Sequence, residues 1–246
     1  MCNSKVNILG VNIDNLTFSK TLEKAKSLTE SPELDTIFTP NPEIIMLARN
    51  DDEFKNILNS ASICTADGIG VVKAAKKLGT SLPERVAGFD LGSALIEYAA
   101  QTDKSLFFFG AAPTVADTAA AKLIEKHPTL KIAGTCNGYF KPQETPEIIE
   151  QINASNADIL FVCLGAPKQE KWIYENRGKL KVRLALGLGG SLDVFAGNTK
   201  RAPKIFIKLN LEWFYRLLKH PSRIGRFMAL PKFMLVVNKE KKRSGK

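Results

Sequence analysis

Apolar residues follow two rhythms along this chain. Short runs in which most positions are apolar (Ala61–Thr65, Ser105–Phe109, Asp158–Leu164, Arg183–Leu186) alternate with longer stretches of helical spacing (19–28, 114–126, 146–154, 168–177). The runs fit strands buried on both faces of a parallel sheet, and the stretches fit helices that cover it. Val6–Leu9, Thr36–Thr39 and Lys131–Thr135 predict three more strands; helices over 43–49, 51–59, 71–78 and 90–101 fill the gaps between them. Pro40-Asn41-Pro42 stops one strand and opens the next helix, and Gly79 closes another. Strands alternating with helices of roughly 10–15 residues predict a Rossmann-like α/β fold, a mostly parallel sheet flanked by helices.

In such folds ligands sit beyond the carboxyl ends of the strands, where loops feed helix N-termini. Asp67, between the run at 61–65 and the helix at 71–78, stands at such a point, with Gly68 and Gly70 allowing close approach to the backbone. A helix N-cap explains an aspartate there equally well. The loops at 110–113 and 165–167 share the pattern Gly-Ala-(Ala)-Pro, so two similar turns, the first starting at Gly110, point to one crevice. Gly187-Leu188-Gly189-Gly190-Ser191 follows a strand and can bring backbone N–H groups and a helix start to a diphosphate. Asp193 either binds a ribose or base there or caps the helix. No dinucleotide fingerprint and no GxxxxGK[ST] loop occurs. No Asp-x-Asp joins a strand to a loop, and Asp51-Asp52-Glu53 reads as a dipole-favoured helix start. Four cysteines without CxxC spacing and only two histidines argue against zinc and for reduced thiols. The expectation is no metal and no cofactor.

Charge divides the chain. Of 35 lysines and arginines, fourteen lie in 199–246, against two of the 25 acids, so 1–198 is close to neutral. We therefore expect an α/β core over 1–198 and a basic amphipathic appendage over 199–246. Pro203, Pro221 and Pro231 punctuate predicted helical stretches at 204–219, 222–229 and 232–242. Arg216, Arg223 and Arg226 sit among Trp213, Phe214, Phe227 and Met228, the makeup of an interfacial membrane binder. Packing on the core, or burial in a homo-oligomer, would also cover that apolar face. A basic tail also fits nucleic acid, but such density of apolar residues argues against it. No run approaches the roughly 20 apolar residues of a transmembrane helix, and the N-terminus carries no apolar leader. Both point to a cytoplasmic protein bound peripherally to the inner face of the membrane.

Six ordered blocks then carry a resemblance. They are Thr36-Ile37-Phe38-Thr39-Pro40-Asn41-Pro42-Glu43, Ala66-Asp67-Gly68-Ile69-Gly70, Arg85-Val86-Ala87-Gly88-Phe89-Asp90, Phe109-Gly110-Ala111-Ala112-Pro113, Leu164-Gly165-Ala166-Pro167-Lys168-Gln169-Glu170, and Gly187-Leu188-Gly189-Gly190-Ser191-Leu192-Asp193 running on to Arg201-Ala202-Pro203. The series closely resembles the WecG/TagA/CpsF family of bacterial glycosyltransferases, and the tail resembles that of its wall teichoic acid members. The resemblance implies transfer of N-acetylmannosamine from UDP-N-acetylmannosamine to undecaprenyl-diphosphate-linked N-acetylglucosamine, β-1,4 with inversion. It implies Asp67 as general base, with Thr39 and Asn41 beside it, and Arg85 and Gln169 as substrate contacts. Relatives using another UDP-sugar share the same motifs. An inverting transferase needs one base for the acceptor hydroxyl, and UDP leaves without an acid partner. Charge growing on the diphosphate must meet loop amides, helix N-termini and arginines: Arg85 from the core, Arg216, Arg223 and Arg226 from the tail.

Overall fold

A computed structural model describes residues 5–209, 211–219 and 228–244. Six parallel strands form the central sheet: β3 (Asp35–Phe38), β4 (Ile63–Cys64), β5 (Ser105–Gly110), β6 (Lys131–Cys136), β7 (Ile159–Cys163) and β8 (Leu184–Gly187), in the order β4-β3-β8-β7-β5-β6. Because neighbouring side chains on a strand point to opposite faces, the run Leu106-Phe107-Phe108-Phe109 feeds two cores at once. Leu106 and Phe108 join Ile37, Ile63, Phe161 and Leu186 on one face; Phe107 and Phe109 join Phe38, Leu160 and Val162 on the other. Phe108 stacks on Phe161 at 5.6 Å, and Phe109 meets Trp172 at 4.7 Å. This is the α/β architecture expected from the uninterrupted apolar runs.

Helices α1 (Phe18–Leu28), α5 (Gly88–Ala100), α6 (Val115–Lys126) and α9 (Ser191–Phe195) cover the first face. The second is covered by α2 (Pro42–Arg49), α3 (Asp52–Asn59), α4 (Ile69–Lys77), α7 (Thr145–Ala154) and α8 (Lys168–Asn176). Local chemistry fixes several starts. The Thr17 hydroxyl accepts from Lys20 N–H, Asp51 accepts from Phe54 N–H, and Asn41 accepts from Ile44 N–H with Pro42 in the first turn.

Three expectations change. The strand predicted at Val6–Leu9 is β1 (Lys5–Ile8), which pairs antiparallel with an unforeseen β2 (Val11–Asp14) across Leu9-Gly10. Both turn residues have positive φ, which lets so short a turn follow the twist of the hairpin. That hairpin stands outside the parallel sheet, and its Asp14 accepts from Cys64 N–H at 2.8 Å. The helix predicted over 204–219 is two, α10 (Lys204–Lys208), capped at Leu209, and α11 (Glu212–Lys219). Pro231, expected just before the last helix, falls inside it. It lies in the first turn of α12 (Ala229–Ser244), where a missing N–H costs nothing. The predicted stretch at 222–229 lies almost wholly outside the described residues. Helix α12 returns to the core, burying Phe233 and Val237 against α2 and α4, and Lys77 reaches Asn238 at 2.9 Å.

Candidate active site

The carboxyl ends of all six strands open onto one edge of the sheet, and most of the candidate residues lie along it. At one end β3 and β4 stay paired beyond their strands: Thr65 N–H donates to Phe38 O at 2.9 Å, and Asp67 N–H to Pro40 O at 3.2 Å. A third segment is stitched to them, since Val86 N–H donates to Ala66 O at 2.9 Å and the Thr65 hydroxyl to Val86 O at 3.1 Å. Asp67 is held half-buried between these segments, with Gly88 N–H 3.4 Å from its Oδ2. The N-cap of α4 is Gly68, at φ +94°, so the capping explanation of Asp67 falls away. Thr39 is buried against Gly88, its hydroxyl 2.6 Å from where a Cβ on Gly88 would stand. Asn41 follows it, with Oδ1 committed to the start of α2.

Arg85 lies at the same end, enclosed by carboxylates. Its guanidinium donates to Asp90 at 3.2 Å and to Glu212, from α11, at 3.1 Å. Burial alone would depress its pKa, yet the charges of Asp67, Glu212 and Asp90 outweigh burial and raise it. Arg201 pairs with the other oxygen of Asp90 at 2.6 Å and lies over the Phe89 ring at 4.7 Å. Spacing along the chain does not reveal that Asp90, Arg201 and Glu212 join Arg85. Glu212 is remote in the chain and reads locally as an acid opening a helix.

Gly187 ends β8, next to β3, and connects this end to the middle of the edge. Gln169 packs on it so closely that a Cβ on Gly187 would lie 2.8 Å from the amide nitrogen. Oε1 of Gln169 accepts from Gly165 N–H at 3.1 Å and Gly189 N–H at 2.9 Å, tying together the loops after β7 and β8. Its Nε2 donates to Oε1 of Glu170 at 2.8 Å. Both side chains are buried, and desolvation pushes the Glu170 carboxyl up to about 7.

The loops at 110–113 and 165–167 do follow adjacent strands. Ala111 N–H donates to Cys163 O at 3.0 Å, and Gly110, at φ +129°, has that carbonyl 2.4 Å from where a Cβ would stand. Only glycine fits. Gly190 precedes α9, and Asp193 lies in its first turn with Oδ2 3.9 Å from a Cβ position on Gly190. The side chain of Arg216 and the whole of Arg223 and Arg226 lie outside the described residues. Among the described residues no three His, Cys, Asp or Glu side chains converge as a metal site, and no helix is long and apolar enough to cross a membrane.

Comparison with known proteins identifies the family. Residues 6–246 match the family model described as the glycosyl transferase WecG/TagA/CpsF family. A relative from Bacillus spizizenii is 42% identical over 210 residues, covering 85% of this chain and 81% of the relative. One from Bacillus subtilis is 41% identical over 84% of this chain and 80% of its own. A third, from Staphylococcus aureus, is 37% identical over 98% of this chain and 94% of its own. All three are named N-acetylglucosaminyldiphosphoundecaprenol N-acetyl-beta-D-mannosaminyltransferase. With a family match over nearly its whole length, the chain belongs to the WecG/TagA/CpsF family of glycosyltransferases.

Proposed function

We propose that the protein transfers N-acetylmannosamine from UDP-N-acetylmannosamine to undecaprenyl-diphosphate-linked N-acetylglucosamine, forming a β-1,4 linkage with inversion, in assembly of the wall teichoic acid linkage unit. The names of the relatives support the sugar and the acceptor. The observation that carries the chemistry is Asp67 at the carboxyl edge of the sheet, flanked by Thr39 and Arg85. Asp67 takes the proton of the acceptor hydroxyl as its oxygen bonds to the anomeric carbon. The bond from that carbon to the diphosphate breaks, and its electron pair leaves with UDP. Backbone N–H groups around Gly187, Gly189 and Gly190 and the Arg85 guanidinium receive the charge, with no metal required. Thr39 and Asn41 orient the sugar, Gly110 floors the crevice, and Asp193 meets the nucleoside.

The acceptor is lipid-linked, and the segment before α12 suits a lipid surface. Ile205, Leu209, Trp213 and Phe214 are all exposed on or beside α10 and α11. We place the protein on the inner face of the cell membrane, with Arg216, Arg223 and Arg226 reaching the acceptor diphosphate.

The test is UDP release from UDP-N-acetylmannosamine with the lipid-diphosphate acceptor in EDTA, comparing wild type with Asp67→Asn. Wild type should turn over without metal, and the variant should lose about 10²–10⁴ in kcat, the usual worth of a general base. Turnover that survives the substitution removes Asp67 as base. Wild-type turnover confined to another UDP-sugar overturns the donor, and turnover that returns only with divalent cation overturns metal independence.

A further inference from the structure

We propose that Glu170 is a positioning residue: it fixes which way the Gln169 side-chain amide faces, so that Gln169 offers its nitrogen, as a hydrogen-bond donor, over the Gly187 floor of the crevice. The proposal deepens the transferase reading above and rests on it for its catalytic consequence alone.

Glu170 is anomalous in its burial. It is 1% exposed, and its Oε2 has no hydrogen-bond partner among the described residues. A buried carboxylate without a cation disfavours folding, and an apolar side chain of similar size would avoid the cost. Its carboxyl is met by a neighbouring side chain at 2.8 Å, where Oε1 accepts from Gln169 Nε2. A carboxyl oxygen accepts there whether Glu170 is neutral or ionised, so the contact persists across its titration.

The effect on Gln169 follows from the donor and acceptor inventory. Its amide has one oxygen and one nitrogen of nearly equal size, and packing alone hardly distinguishes two orientations related by a half-turn. In the orientation present, Oε1 faces two N–H donors, Gly165 and Gly189, while Nε2 faces an acceptor, Glu170. The flipped amide would set Nε2 against two donors and Oε1 against a carboxyl oxygen, losing three hydrogen bonds together. Glu170 is the member of this set whose side chain can be changed without touching the loops. Because Nε2 packs over Gly187, at 2.8 Å from the Cβ position there, the fixed orientation turns N–H rather than C=O toward the carboxyl end of β8. The group recognised is therefore an acceptor oxygen, such as one on a sugar or a phosphate.

Three full-length variants test this, each read by hydrogen exchange at the Gly165 and Gly189 amides, by thermal midpoint, and by kcat and KM in the UDP-release assay. Glu170→Leu removes the acceptor. We expect faster exchange at both glycines and a kcat loss of about tenfold or more, with the thermal midpoint unchanged or raised because the buried carboxyl is gone. Glu170→Gln keeps an acceptor oxygen and should hold kcat within about threefold of wild type. The exchanged pair Q169E/E170Q restores acceptors for both glycines while replacing the nitrogen over Gly187 by oxygen. It should recover slow exchange without recovering kcat. Glu170→Leu with wild-type exchange and wild-type kcat overturns the proposal, as does full activity in the exchanged pair. A Glu170→Leu chain whose midpoint collapses makes Glu170 merely structural, provided that Glu170→Gln and the exchanged pair then behave alike. Failure of the transferase reading looks different: wild type itself releases no UDP, while the exchange measurements still decide the orientation.

Discussion

Glu170 is a buried ionisable group and Arg85 a half-buried one, and their surroundings act on them in opposite ways. Arg85 has three carboxylates around it, whereas Glu170 has one neutral amide. Its carboxyl is raised from 4.5 to about 7, so the native state holds a proton over that interval that the unfolded chain releases. Stability is therefore lost as pH rises from about 4.5 through 7. Glu170→Gln carries no such titration and should gain on wild type by up to about 3 kcal/mol across that window, since one pKa unit is about 1.4 kcal/mol. Urea midpoints of the two proteins at several pH values measure this, and a constant difference contradicts the desolvated carboxyl. Neither residue could be read fully from its neighbours in sequence. Gln169 and Glu170 look like the polar start of an amphipathic helix, and Arg85 like a loop cation. Their roles come from Gly165 and Gly189 in one case and from Glu212 in the other, partners set by topology rather than spacing.

Elements were more legible than residues, because a parallel sheet buried on both faces leaves an unmistakable apolar run. Ser105–Gly110 and Ile159–Cys163 could be placed from sequence for that reason. The second hairpin strand could not, since Val11–Asp14 is short and interrupted by a half-buried Asn12. The break between α10 and α11 was hidden likewise, because Ile205 to Leu218 is apolar on too many sides to show a stop. The crevice was legible through its glycines, and Gly110 shows why. Its positive φ and the Cys163 carbonyl at 2.4 Å from a Cβ position force the turn after β5 to lie directly on the end of β7. Gly110→Ala should cost about 2 kcal/mol or more, combining left-handed strain with a backbone collision. Gly178→Ala, where no atom lies within 4 Å of the added Cβ, is the control and should change the urea midpoint little. Equal midpoints for the two variants would show that the β5 and β7 loops are not clamped together as the structure has them.

At the scale of the whole molecule, the basic C-terminal fifth is joined to the core at both ends. Glu212, in α11, pairs with Arg85 in the candidate site, and Phe233 and Val237, in α12, are fully buried against α2 and α4. Between and before these attachments the chain exposes apolar residues: Ile205 is 63% exposed, Leu209 62% and Met228 48%, while Trp213 and Phe214 meet edge-to-face on the surface. Such a group marks a surface covered either by another protein copy or by a membrane, and a membrane would supply both an apolar interior and anionic headgroups that match the basic residues around it. Replacing Trp213 and Phe214 together by serine should leave the buried attachments intact. It should weaken binding to vesicles containing anionic phospholipid by about tenfold or more, because each large side chain inserted contributes on the order of 1.5–3 kcal/mol. Raising salt should weaken the remaining, electrostatic part further. Vesicle sedimentation at two ionic strengths, with sedimentation velocity of the free proteins alongside, separates the two ways of covering this face. Loss of vesicle binding with an unchanged mass supports the membrane, whereas unchanged vesicle binding with a smaller assembly assigns the aromatic pair to contact between copies of the chain.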